Sequence, residues 1–302
     1  MSKPRSRSVL GGPLPSCRRI SLAMSNKPNF DTRMNNYWVT YGQFLVHDIT
    51  LSLPVTDTGR TPITSCHCQS TNTDMCTVID IAPDDPFFSG QQCMAFPATA
   101  QAFSNQNCAF GYKEQMNGNT HYIDLSVTYG STRITSSNIR VNASGFLKVV
   151  RQPGLKHDLL PGQITGTACM DATATQRCFA GGDSRLMENS ILLGIQTQWL
   201  RMHNLFAHVL AKTRPDWQSN DNILYEETRR ITAALHQHYT YTQWLPILIG
   251  QQVIDRFMKD EREQSNSQYN PQASRNTFLR MTTKTVFLLF CLNRCQVLFS
   301  MK

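Results

Sequence analysis

No apolar run in this sequence approaches the roughly 20 residues that a membrane-spanning helix needs. The strongest one, Val286-Phe287-Leu288-Leu289-Phe290-Cys291-Leu292, is interrupted by Asn293 and Arg294, so it reads as a buried or aggregation-prone end rather than an anchor. The basic start Met1-Ser2-Lys3-Pro4-Arg5 has no apolar stretch behind it, so no secretory signal is written in this chain. There is no internal repeat, no Arg-Gly-Asp tripeptide and no nucleic-acid motif. The formal charge is +8, but outside Arg5, Arg7, Arg18 and Arg19 the basic residues are dispersed, which describes a solvated basic surface and not a polyanion site.

What is present is enough apolar material for a core. At 302 residues and 40% apolar composition the chain can bury one large domain or two small ones. Its ten cysteines are many for a reduced cytosolic enzyme and fit a secreted, disulfide-bonded one. Cys66, Cys68, Cys76 and Cys93 crowd one loop-rich stretch, and Cys169 and Cys178 could close a small loop. Disulfides are expected rather than a metal cluster, because Cys66-His67-Cys68 matches zinc spacing poorly. The sequon Asn142-Ala143-Ser144 permits glycosylation on an exposed loop. Extracellular character without an export signal points to an incomplete N-terminus.

Residues 1–35, rich in Ser, Pro, Gly and Arg, read as an irregular arm. The first helix is predicted over 36–49. Residues 52–115, dense in Pro, Gly, Cys and Asp, should be mostly disulfide-held loop. Short elements continue to about 180, with alternating polar and apolar residues near 120–128. From Arg185 apolar residues recur at spacings of three and four, predicting a long helix to about Lys212. Others are expected over 221–241 and from Pro246 to about Phe257. The fold class is mainly α, with little β.

The chemistry concentrates in Tyr41-Gly42-Gln43-Phe44-Leu45-Val46-His47-Asp48. On a helix Gln43 and His47 are four apart and share a face, while Asp48 lies about 100° round. One face can serve a reaction centre and the other a cation. Next come Ala180-Gly181-Gly182-Asp183-Ser184-Arg185-Leu186-Met187-Glu188, with an arginine and a glutamate three apart on one predicted helix face. By itself this is an ordinary intrahelical ion pair of about 0.3 kcal/mol. In the third segment, Thr120-His121-Tyr122-Ile123-Asp124-Leu125-Ser126, an extended conformation would turn Thr120, Asp124 and Ser126 to one side with the Tyr122 carbonyl between them. Such hard oxygens suit calcium.

Together these strings resemble the animal haem peroxidases, the family of the myeloid, thyroid, peroxidasin and peroxinectin types. The likeness runs over roughly residues 6–274. It implies a haem-peroxidase-like helical domain over 36–274 that is the N-terminal, distal half of the family's catalytic domain, after the 1–35 arm and before an unrelated tail, 275–302. It assigns His47 as the distal acid-base, Arg185 as the cation that stabilises negative charge, and Gln43 as the group that orients peroxide, water or a halide. Glu188 is implied as the carboxylate that can form an ester with haem b. Asp48, Thr120, the Tyr122 carbonyl, Asp124 and Ser126 are the implied calcium ligands. Leu200-Arg201-Met202-His203-Asn204-Leu205-Phe206-Ala207 also resembles a family helix.

Two departures accompany the likeness. Val46 stands where many members carry an aspartate that makes a second haem ester, so only the Glu188 link is open. The Tyr269-Asn270-Pro271 motif is present, but no histidine follows it, so no proximal haem iron ligand is found; His203, His208, His236 and His238 are expected to be structural. The resemblance implies a secreted haem peroxidase that reduces hydrogen peroxide and oxidises a halide, phenol or other small donor. The rival is a non-catalytic, truncated peroxidase-like protein that binds calcium or partners.

Overall fold

A computed structural model describes residues 11–12, 15–25, 34–56, 61–63, 65–70, 75–101, 115–162 and 178–256. The Tyr269-Asn270-Pro271 motif, the apolar run 286–292, Cys108, Cys169 and most of the 1–35 arm lie outside them. The chain divides into two compact units, one of residues 1–31, 50–118 and 291–302, the other of 32–49 and 119–290.

The first unit holds helix α1 (Cys17–Ser25) and the antiparallel hairpin-like pair β1 (Cys76–Asp80) and β2 (Cys93–Pro97). Disulfides Cys66–Cys76 and Cys68–Cys93 tie the loop at 66–68 to both strands, as the crowding of cysteines predicts. Asp85 is the polar anchor. It accepts the Phe87 and Phe88 amide N–H groups and a two-armed bond from Arg18 Nε and Nη2 at 2.6 and 2.7 Å, while Arg18 lies over the Phe88 ring. The Arg18 bond, against the cost of burial, holds the Asp85 carboxyl well below the usual range.

The second unit is helical: α2 (Asn36–Ile49), the short α3 (Ser126–Tyr129), α4 (Arg133–Ile139), α5 (Ser190–Thr213), α6 (Asp221–Tyr239) and α7 (Leu245–Ile249). Mainly α architecture with disulfide-held loops is therefore what the chain adopts. The Asn35 side chain accepts Trp38 N–H at the start of α2, and Thr40 to Asp48 are then buried on every side, the mark of a central helix. The α5 helix, packed against it, buries Leu192, Gln196, Leu200, His203 and Ala207, and α6 buries Thr228, Thr232 and His236, the last against Tyr41 and Phe44 of α2.

Four expected elements differ in detail. The α5 helix starts at Ser190, five residues after Arg185, because Asn189 is its N-cap and accepts Leu192 N–H at 2.8 Å. Arg185 and Glu188 thus lie on the turn before the helix. The α6 helix runs into a π-turn, Thr240–Trp244, and the helix expected from Pro246 breaks at Gly250, whose φ of 86° an L side chain resists, before helical residues 251–256. Residues 121–124 form bends rather than an extended segment, and Leu125 has φ 61°.

Candidate active site

His47 sits in the last turn of α2 and is 6% exposed. Its Nε2 is 3.4 Å from Glu188 Oε2, the oxygen that accepts the Gln43 amide Nε2 at 2.8 Å. Gln43, His47 and Glu188 therefore meet at one point. Burial pushes the His47 pKa down and the Arg185 cation pushes it further, against the opposing Asp183 carboxylate, to about 4. At neutral pH the imidazole is uncharged, so its contact with Glu188 is not an ion pair there. The ring is a base ready to take a proton. Its Nδ1 is buried with no hydrogen-bond partner among the described residues, the state of a group that a bound cofactor or water satisfies.

Arg185 is held in place by a carboxylate two residues earlier. Asp183 Oδ1 accepts Arg185 N and Nε at 2.8 and 2.9 Å, and Oδ2 accepts Nη2 at 2.6 Å. Burial alone would raise the Asp183 carboxyl; Arg185 overcomes this and holds it below its ordinary range. The same Nη2 donates to the His47 carbonyl at 3.0 Å, where Asn119 Nδ2 also donates at 2.5 Å. Ser131 in turn donates to Asn119 Oδ1. The turn can approach because residue 182 is glycine: a Cβ there would sit 2.5 Å from Gly130 N and from the Thr128 carbonyl.

One residue on, Asp48 is fully buried and faces a different loop. Its Oδ2 accepts Leu125 N–H and its Oδ1 accepts Val127 N–H, both at 3.0 Å, and Ser126 Oγ lies 2.9 Å from the Asp48 carbonyl. Thr120 Oγ1 is 2.9 Å from Asp124 Oδ1, 3.1 Å from Ser126 Oγ and 3.5 Å from the Tyr122 carbonyl. The five expected calcium ligands thus converge, although the path is a bend closed by left-handed Leu125 and not a strand. Two carboxylates with hydroxyl and carbonyl oxygens make a hard donor set of charge −2, which fits a calcium ion. Among the described residues no cluster of three His, Cys, Asp or Glu side chains that could hold a metal ion exists.

The expected site residues therefore form two neighbouring groups back to back on α2, Gln43, His47, Arg185 and Glu188 on one side, Asp48 with 120–126 on the other. Arg185 and Glu188, expected to share a helix face, lie instead on the turn before α5, where Arg185 pairs with Asp183. Sequence reasoning passed over Asp183, Asn119 and Asn189, which hold Arg185, the His47 carbonyl and Gln43. Only Asp183 carried a signal, its place in the glycine turn. His203 and His236 are fully buried: His203 joins Tyr129 Oη to the Gly145 carbonyl, while His236 Nδ1 meets Tyr41 Oη at 2.9 Å and its Nε2 lies 3.6 Å from Asp48 Oδ2.

A sequence model of the family described as animal haem peroxidase matches residues 1–289, past Ser274 where the motif-by-motif likeness stops. The chorion peroxidase of Aedes aegypti is 33% identical over 279 residues, which are 89% of this chain and 34% of that protein. A peroxidasin homolog of Mus musculus is 34% identical over 263 residues, 81% of this chain and 17% of that one. The chain spans about a third of the length of the first of these curated relatives. Among solved structures, peroxidase A of Dictyostelium discoideum superposes with a TM-score of 0.58 at 24% identity, over 81% of this chain and 48% of the other. A fatty acid alpha-dioxygenase of Arabidopsis thaliana gives 0.55 at 18% identity, over 76% and 30%. Both show the fold.

Proposed function

This chain belongs to the animal haem peroxidase family, and from that premise we propose that it is a haem-dependent peroxidase that reduces hydrogen peroxide and oxidises a halide, phenol or other small donor. The observation that carries the reading is the meeting of a neutral buried His47 with Gln43, Glu188 and an Arg185 cation fixed beside it. Reduction of peroxide to two waters takes two protons and two electrons, and the electrons come from the donor. Haem, when bound, supplies the redox centre between donor and peroxide.

The residues do the remaining work. His47 takes a proton from one peroxide oxygen and returns it to the other, which its depressed pKa allows at neutral pH. Arg185 offsets the negative charge that builds as the O–O bond breaks. Gln43 donates from Nε2 to an oxygen or halide at the same point. Glu188, a partly exposed carboxylate, is the candidate for a single ester to haem; buried Val46 has no oxygen to make a second. Calcium held by Asp48, Thr120, Tyr122, Asp124 and Ser126 would lock the 120–126 loop to α2 and steady His47 from behind. The exposed turn at Asn142 and Ser144 leaves the sequon accessible, in keeping with a secreted glycoprotein.

A second reading, a non-catalytic peroxidase-like protein that binds calcium or partners, is favoured by one observation. The buried His203 has both ring nitrogens bonded, and the buried His236 is held between Tyr41 and Asp48, so neither serves as a proximal iron ligand. The absorption spectrum of the chain supplied with haem decides between them. A protein-bound Soret band that shifts with peroxide, and changes in His47→Ala, upholds the peroxidase; free-haem absorption from folded protein upholds the second reading.

A further inference from the structure

The direction of every hydrogen bond around Gln43 follows from one backbone group. Leu192 N–H, in the first turn of α5, can only donate, and it points at Asn189 at 2.8 Å, so the Asn189 oxygen must face it. That leaves the Asn189 Nδ2 donors for its other neighbour, the Gln43 side chain at 3.0 Å, which must present its oxygen. The Gln43 NH2 group then has one direction left, toward Glu188 Oε2 at 2.8 Å and the His47 ring beyond. Turning the Gln43 amide over would set two donors face to face at Asn189 and an oxygen against a carboxylate at Glu188. Both faults would lie in a place where Gln43 is 7% exposed and water offers little relief.

We propose that Asn189 is a positioning residue that fixes the polarity of Gln43, so that this position offers a hydrogen-bond donor to the His47 side and selects ligands that bring a lone pair, an oxygen or a small anion. The same side chain that starts α5 thus decides what the neighbouring group can bind. An asparagine serves both ends. An aspartate would cap the helix equally well but has no donor for Gln43. The proposal rests on the peroxidase reading only for the identity of the ligand, since the polarity itself belongs to the folded chain.

The test follows the Gln43 NH2 resonance in the full chain labelled with nitrogen-15 glutamine, assigned by its loss in Gln43→Leu. Glu188→Ala, a change at a partly exposed side chain, should shift that resonance upfield as the acceptor is lost. In Asn189→Asp the resonance should report a bond to residue 189 instead, and adding Glu188→Ala should then move it no further. A Gln43 resonance indifferent to Glu188→Ala in the otherwise unaltered chain overturns the proposal, as does one that still responds in Asn189→Asp. With haem supplied, bromide affinity read from the Soret band should fall about tenfold in Asn189→Asp, the loss of one hydrogen bond to an anion. The fall should persist at high ionic strength, where a repulsion by the added charge is screened; a fall that vanishes there overturns the donor role. A chain that takes up no haem defeats the peroxidase reading, while the glutamine resonance still decides this one.

Discussion

Arg185 Nη2 donates to the main-chain carbonyl of His47 at 3.0 Å while the same nitrogen is gripped by Asp183. One guanidinium therefore caps the end of α2 and sets a positive charge beside the residue that must act as a base. Burial, reinforced by the cation, keeps the imidazole neutral, and the carboxylate keeps the cation still.

His47→Ala should remove the proton carrier and slow peroxide-dependent oxidation of a donor dye by about 10²- to 10⁴-fold. Helix content, read by circular dichroism, should stay as it is. Turnover undiminished by the substitution would sink the assigned mechanism.

Asp183→Asn leaves Arg185 without its counter-charge, and denaturant unfolding should register a loss of about 1–3 kcal/mol. An unchanged midpoint would mean that the Asp183–Arg185 pair contributes little net stability.

Acid should destabilise the second unit well before ordinary carboxylates titrate. Burial holds His47 and His203 at about 4 in the folded chain, against about 6.5 unfolded. Between these values the unfolded chain binds more protons, so stability rises with pH there; it is fully present above about 6.5 and falls as pH drops toward 4. Asp183, depressed by Arg185, adds a loss of the same sign at lower pH still. Unfolding midpoints at pH 7.5 and 5 should differ accordingly, and the gap should narrow in His203→Gln.

Calcium should raise the thermal midpoint of the chain, and a chelator should reverse the gain. At a calcium concentration of about 100 times Kd the stabilisation is about 2.7 kcal/mol. The effect should disappear in Asp124→Ala, which takes away one carboxylate without touching α2. A chain whose midpoint ignores calcium would remove the cation from the reading of this loop.

Gly182→Ala should cost about 3 kcal/mol or more, because its methyl group meets main chain and not a pliable side chain. The damage should spread to the adjacent Asp183–Arg185 pair, so lowered stability and lowered peroxidase turnover should appear together in assays of the same preparation.

Much of this was written in the sequence. A helix over about 36–49 was legible, crowded cysteines foretold disulfides among Cys66, Cys68, Cys76 and Cys93 without their pairing, and spacing alone put His47 and Asp48 on different faces of one helix. These are short-range facts, set by 3.6 residues per turn and by chain proximity. What only the tertiary structure decided is who holds whom. Arg185 and Glu188, three apart, look like partners in the sequence, yet Asn189 caps the helix late and leaves both on a turn. There Arg185 finds Asp183 and Glu188 finds Gln43, 145 residues away along the chain. Asn119, the bond from Asn189 to Gln43 and the bend at Leu125 carry no local signal, because these are contacts with groups far away in sequence. Periodicity records which face a residue occupies; the donor it meets there is fixed only when distant segments pack and every buried polar group must find a partner.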